Sequence, residues 1–287
     1  MIYTIKSDKL TAQINSHGAE LVHLIDENGI DRLHDVNHDS WKRTSPILFP
    51  QISRTRGNVY NVKGKEYQMP MHGFFRDLEL TPYSQKNNEI IFKTQATEES
   101  LKHYPYQFEF YVKYLIFDNR FKVEFKVINP ADEILYFMVG GHPGFKLCLN
   151  NHSYEDYKIV FQQKETADAM QVADGYLANE FKQVLNNEDT INLKHNLFVP
   201  DAIVLKDLKS KYVDIVSNNN DFDLRFYFAD FAILAIWANN NEDDKYVCLE
   251  PWNGIQKQFV KDHEKMGVLS LNPHDTYVCS YTIEIVK

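Results

Sequence analysis

The sequence predicts an all-β protein, a β-sandwich of large antiparallel sheets with few short helices, and three observations carry that expectation. Apolar and polar residues alternate along many short runs, and the runs are joined by Asn, Asp and Gly turns. The aromatic content, 19 Phe and 17 Tyr among 287 residues, suits pleated surfaces.

The first runs to show strand character are 2–5, 20–25, 90–94 and 109–117. In the next, Phe121 to Val127, the apolar Phe121, Val123, Phe125 and Val127 interleave with Lys122, Glu124 and Lys126, the period-two signature of a half-buried strand. Phe117-Asp118-Asn119-Arg120 lies between the last two runs and reads as a hairpin turn. Further runs follow at 134–139, 157–161, 202–205, 212–216, 224–228, 232–237 and 245–249, and the chain closes on the alternation from Tyr277 to Ile285. So many strands exceed a small sheet, and their turns favour meanders over βαβ units. One short helix is expected, with Thr97 as its cap, Glu98 and Glu99 at its positive end and Pro105 stopping the chain after His103. Between 163 and 200 the alternation fades into polar, Asn-rich sequence, which predicts long loops. No repeat and no Pro/Gly/Ser-rich boundary divides the chain, so residues 1–287 are expected to form a single domain.

Charge and cysteine usage narrow the function. A formal charge of -9 without a basic cluster argues against nucleic acid and anionic membranes, which need grouped Lys and Arg. The start Met1-Ile2-Tyr3-Thr4-Ile5-Lys6 lacks signal-peptide character, and the most apolar window, Phe226 to Ala238, is broken by Asp230. A cytoplasmic protein that does not engage a membrane is the expectation. Cys148, Cys248 and Cys279 are three in number and lack CxxC spacing, which predicts reduced, buried thiols.

Three stretches place reactive side chains beside turn-forming residues: Met71-His72-Gly73 running on to Arg76, Gly140-Gly141-His142-Pro143-Gly144, and Leu249-Glu250-Pro251-Trp252-Asn253-Gly254. Glycine permits positive φ and close approach of a ligand, and proline stiffens the backbone, so these residues suit a site better than a core. Glu250 follows the apolar Tyr246-Val247-Cys248-Leu249 and is expected at a strand end before a turn. With a reference pKa of about 4.3 it can accept a proton from a hydroxyl. Trp252 offers a flat surface for the apolar face of a sugar. His142, fixed in its turn, can donate a proton. His72 and Arg76 pair an imidazole with a guanidinium suited to vicinal hydroxyls or an anionic group. Arg54 and Arg56 follow the proline-stiffened stretch Ser45 to Ser53, and either can clamp a substrate. His34 and His38 have metal-ligand spacing, but with no HExxH around them they read as a solvated loop. No GxGxxG, P-loop, GxSxG or EF-hand pattern occurs, which leaves proton transfer as the chemistry.

Taken together these motifs resemble the aldose 1-epimerase (galactose mutarotase) family, most closely its LacX-type branch, over nearly the whole chain. Ser45-Pro46 to Phe49-Pro50 and Arg54 is similar to the family's Asn-Pro, Phe-Pro and Gly-Arg signature, and Met71 to Arg76 to its His-Gly-Phe-x-Arg form. Tyr104-Pro105-Tyr106-Gln107-Phe108, Gly141-His142-Pro143-Gly144-Phe145 and Cys248 to Gly254 follow in the family's order. The resemblance implies a galactose-mutarotase-like β-sandwich, the supersandwich, and an isomerase that interconverts the α and β anomers of a hexose without metal or other cofactor.

By position the resemblance makes Glu250 the base at the C1 hydroxyl and His142 the acid at the ring oxygen, with His72, Arg54 and Asp201 on the sugar. An ionised Glu250 beside His142 is expected to raise the histidine's pKa and to be held ionised by it. Ser45 and Ser53 depart from the family's Asn and Gly, and Asn272-Pro273-His274-Asp275 stands where Pro-Gly-Glu is common. The first two touch the arginine loop and leave the sugar open, free or as a hexose 6-phosphate held by Arg54 and Arg76. A non-catalytic sugar-binding protein, a glycoside hydrolase using Glu250 with Asp201, and metal-assisted chemistry at His72, His142 and Glu250 are the competing readings. The small-molecule sugar is the one partner implied, and a monomer and a homodimer are both compatible with it.

Overall fold

Side-chain alternation becomes sheet along most of the chain. The computed structural model describes residues 1–149, 152–173, 176–217, 222–255 and 267–286. Among them one 15-stranded sheet dominates, accompanied by a three-stranded sheet, Ile2–Lys6, Leu10–Asn15 and Leu21–Asp26, and by two two-stranded ribbons. The large sheet runs from Ile47–Leu48 through Val139–Gly141, Tyr246–Asn253, Ile233–Trp237, Ile203–Lys206 and Tyr157–Ala173. It continues through Tyr212–Ser217, Phe222–Tyr227, Thr276–Ile285, Arg120–Ile128, Glu109–Phe117 and Glu89–Gln95 to Pro82–Gln85. Its neighbours pair antiparallel, as the expected fold class requires.

The regular part of the sheet follows from the pattern directly. Phe110, Val112, Tyr114 and Ile116 are buried while the residues between them are not, and Phe121, Val123, Phe125 and Val127 do the same on the next strand. The two strands pair from Arg120 with Phe117 to Ile128 with Glu109 across the expected Asp118-Asn119 turn, where Asp118 takes a positive φ. Phe49 stacks on Phe110 with ring centroids 4.1 Å apart, joining the Pro46–Pro50 stretch to this core. The expected helix is Glu98–His103, six residues long. The Thr97 side chain accepts from Ser100 N–H, and Ser100 Oγ accepts from Thr97 N–H, a reciprocal cap.

Two expectations fail. The stretch expected to be long loops is instead a hairpin of two 17-residue strands, Tyr157–Ala173 and Tyr176–Asn192. Register shifts at Val160/Glu165, Glu165/Thr166, Ala167/Asp168 and Met170/Val172 break the period of two, so the alternation that marks a strand is erased in the sequence. Glu250 does not end its strand either. Tyr246–Asn253 continues through Pro251, and all eight of its residues are buried. Pro251 is accommodated because the strand beside it is interrupted at that height: Val139–Gly141 and Gly144–Lys146 pair with Tyr246–Asn253 above and below His142-Pro143.

Candidate active site

That interruption builds the centre of the site. Gly140 pairs with Trp252 and Gly144 with Cys248, so the shared register sets His142 directly across from Glu250. The Nε2 of His142 lies 3.2 Å from Oε2 of Glu250, and both side chains are nearly enclosed, at 10% and 3% exposure. On the other side the small Ala235 faces Glu250, which leaves room above the carboxylate. Trp252, two residues along, shares Glu250's face of the strand. The flanking glycines serve this packing: a Cβ on Gly140 would lie 2.7 Å from the Pro251 carbonyl oxygen, and one on Gly144 2.8 Å from the His34 ring.

The second wall comes from two loops locked to one another. His72 has φ 65° and Gly73 φ 76°, two left-handed residues in succession. A Cβ on Gly73 would stand 2.1 Å from the Phe49 carbonyl oxygen, so only glycine allows the Phe49–Gly73 bridge that joins the loops. The His72 main-chain N–H donates to Ser53 O at 2.9 Å, and the Ser53 N–H donates to His72 Nδ1 at 3.2 Å. Nδ1 is therefore the acceptor, and the neutral ring carries its proton on Nε2.

Arg54, His72, Arg76, His142, Asp201, Glu250 and Trp252, all given roles from the sequence, line one cleft of about 620 Å³. Sequence reading missed Trp41 and Trp237, which make the cleft the meeting place of all three tryptophans of the chain. It also missed Val172, brought there by the unexpected hairpin. His34, read as a solvated loop residue, is buried beside the cleft, where its Nδ1 meets Asp39 Oδ2 at 3.3 Å and its ring stacks on Trp41. Arg56 opens a short 3-10 turn and is not among the lining residues.

Burial sets the charge states. It pushes Glu250 well above the usual carboxylate range, with Asp201 adding to the effect and Trp252 opposing it. It pushes His142 down to about 3, with Arg76 and His34 also opposing a positive ring there. The mutual stabilisation of charges expected from the sequence is thus reversed, because desolvation of two enclosed groups outweighs their attraction. His72 is held well below its ordinary value by burial, then by His142, Arg76 and Arg54. Arg76 is lowered by burial and by Arg43. Its Nε and that of Arg54 are buried without a hydrogen-bond partner among the described residues.

The aldose 1-epimerase family model matches residues 1–277. The chain belongs to the aldose 1-epimerase family. Within it the chain falls on the LacX-type branch, being 29% identical over 300 residues to the chromosomal protein LacX of Lactococcus lactis, with 100% of each covered. A galactose mutarotase related enzyme from Lactobacillus acidophilus superposes with a TM-score of 0.94 at 29% identity, over 100% of this chain and 98% of that one. A galactose mutarotase-like protein from Lactobacillus casei, 23% identical, superposes with a TM-score of 0.91 over 100% of both chains and so shares the fold. By family this epimerase-type site is one for carbohydrate. Among the described residues no helix is long and apolar enough to cross a membrane.

Proposed function

We propose that this aldose 1-epimerase family member interconverts the α and β anomers of a hexose, with Glu250 and His142 as the proton-transferring pair. The observation that carries the reading is their 3.2 Å contact at the enclosed end of a cleft lined by indoles and guanidinium groups. A carboxylic acid beside a neutral imidazole holds one proton, and so does a carboxylate beside an imidazolium. Burial favours the first arrangement, and the second is reached by moving that proton across the pair. Sugar hydroxyls entering the cleft favour it by solvating the charges. Glu250 then takes the proton of the C1 hydroxyl while His142 delivers one to the ring oxygen. The ring opens to the aldehyde, C1–C2 rotates, and closure on the other carbonyl face returns both protons. His72, as an Nε2–H donor, Arg54 and Asp201 orient the sugar, and Trp252 covers an apolar face.

A hexose 6-phosphate is the second substrate class, and the presence of both Arg54 and Arg76 in the lining of the cleft favours it, since guanidinium groups pair with phosphate through paired N–H donors. Both classes are tested by NMR exchange between anomers with glucose, galactose and a hexose 6-phosphate against the spontaneous rate. Acceleration is expected with at least one. Binding of all three without acceleration would replace the proposal with a non-catalytic sugar-binding protein.

A further inference from the structure

A histidine that moves protons is ordinarily held through its second ring nitrogen, which donates to a carboxylate or a main-chain carbonyl and thereby fixes tautomer and ring plane. His142 draws no such support from another residue. Its Nδ1 is buried and meets no partner in another residue among those described; the acceptor that acts on the ring is its own main-chain carbonyl, which does not tie it to the rest of the fold. Two indoles flank the ring instead. Trp41 stacks on it with centroids 4.7 Å apart and planes 27° apart, and Trp237 meets it edge-on at 5.6 Å and 83°.

Trp41 is itself firmly placed, although it lies in a polar loop. The carboxylate of Asp39 accepts from Lys245 N–H at 3.0 Å, and that of Asp244 accepts from Ser40 N–H at 2.7 Å as well as from the Ser40 hydroxyl. Both carboxylates are buried, so the residues preceding Trp41 are pinned to the 244–245 segment. His34 extends the stack, its ring 4.9 Å from Trp41 at 22°. Three rings, His34, Trp41 and His142, therefore succeed one another in near-parallel contact from the tethered loop to the cleft.

We propose that Trp41, backed by Trp237, is a positioning residue that clamps the His142 imidazole at the orientation from which Nε2 reaches Glu250, in place of an Nδ1 hydrogen bond to another residue. The inference rests on the proton-transfer role given to His142 above. The indole face performs a second service, because a π face attracts the imidazolium formed when the ring takes up its proton. A stacking clamp of this kind orients the ring without adding a carboxylate to a cleft that already holds Glu250 and Asp201.

The test uses the whole chain as Trp41→Leu, Trp41→Phe and Asp244→Asn, each first checked for an unchanged circular dichroism spectrum. In sugar-free protein, carbon–proton NMR of the His142 ring, assigned with His142→Gln, should show one ring-current-shifted set in the wild type. In Trp41→Leu that set should lose its shift and broaden, and in Trp41→Phe it should be largely restored. Anomer exchange should fall about 10- to 100-fold in kcat for Trp41→Leu with KM within about 3-fold, and recover in Trp41→Phe. Asp244→Asn should move both readouts in the same direction by less. Unchanged His142 signals in Trp41→Leu, or a rise in KM at constant kcat, would overturn the clamp and make Trp41 a sugar-stacking surface. If the wild-type protein accelerates no sugar, the functional reading fails while the ring spectra still decide the clamp.

Discussion

The two walls of the cleft are built on opposite plans. Glu250, Trp252 and Trp237 sit on paired strands, Tyr246–Asn253 and Ile233–Trp237, and His142 sits in the gap of the neighbouring strand at a fixed register. Arg54, His72 and Arg76 sit on loops joined through the Phe49–Gly73 bridge and the two Ser53–His72 hydrogen bonds. The strand-borne wall carries two groups that burial drives toward neutrality, and the loop-borne wall carries two guanidinium Nε atoms that have no hydrogen-bond partner among the described residues. Under the proposed function the contrast is a division of labour: the two groups given the proton transfer are set by a strand ladder, whereas the groups given the sugar are set by two loops locked to one another.

The comparison breaks most visibly at Glu250. Glu250→Gln should lower the anomer-exchange rate by about 10²–10⁴ while sugar binding persists, and near wild-type turnover would remove Glu250 from the chemistry. The same variant should be more stable by about 0.5–2 kcal/mol near neutral pH in thermal or urea unfolding, since it relieves an enclosed acid. The sign follows from the raised Glu250. Above its ordinary value the unfolded chain has released a proton that the folded state keeps, so the wild type loses stability as pH rises. The advantage of Glu250→Gln should therefore grow with pH from about that point, and an advantage that shrinks would contradict the assigned direction. His142→Asn should cost about 10²–10³ in kcat. The lowered His142 works in the opposite sense: below its ordinary 6.5 the unfolded state binds a proton that the folded state refuses, and stability falls with pH toward about 3.

On the loop-borne wall the expected effects are smaller and of another kind. Gly73→Ala should destabilise the fold by about 2–4 kcal/mol, because a methyl group cannot stand 2.1 Å from the Phe49 oxygen, and unchanged melting would mean the loops rearrange freely. Arg54→Gln and Arg76→Gln should raise KM about 10-fold with kcat within about 3-fold, the signature of uniform binding. A change in kcat alone would place the arginines with the reacting pair. If the loss is much larger for a hexose 6-phosphate than for glucose, the loop wall reads phosphate.

Much of this was legible in the sequence, for identifiable reasons. Regular alternation fixed strands such as Arg120–Ile128, and glycines and prolines around His72, His142 and Glu250 marked where backbone serves a site. The Tyr157–Ala173 and Tyr176–Asn192 hairpin was hidden because each register shift resets the alternation. Pro251 read as a turn because the interruption that tolerates it lies on another strand, more than a hundred residues away in sequence. Trp41 gave no periodic signal within Asp39-Ser40-Trp41-Lys42. Its rarity, as one of three tryptophans in the chain, and its place just before Ser45-Pro46 were the available clues. The charge states were out of reach, since they depend on enclosure rather than on neighbours in sequence.

The hairpin reaches the cleft from outside the strands that carry Glu250 and flank His142. Val172, opposite Leu177 near its far end, is a lining residue, whereas the strand of Glu250 and the two short strands that flank His142 do not pair with it. Adding or removing a residue pair on each arm would move the end by about 6.6–6.8 Å while keeping every side chain on its face. Such a change would leave the reacting pair untouched. Under the proposed function, hairpin length is thus a means of changing the space beside the sugar that does not touch the Glu250–His142 contact.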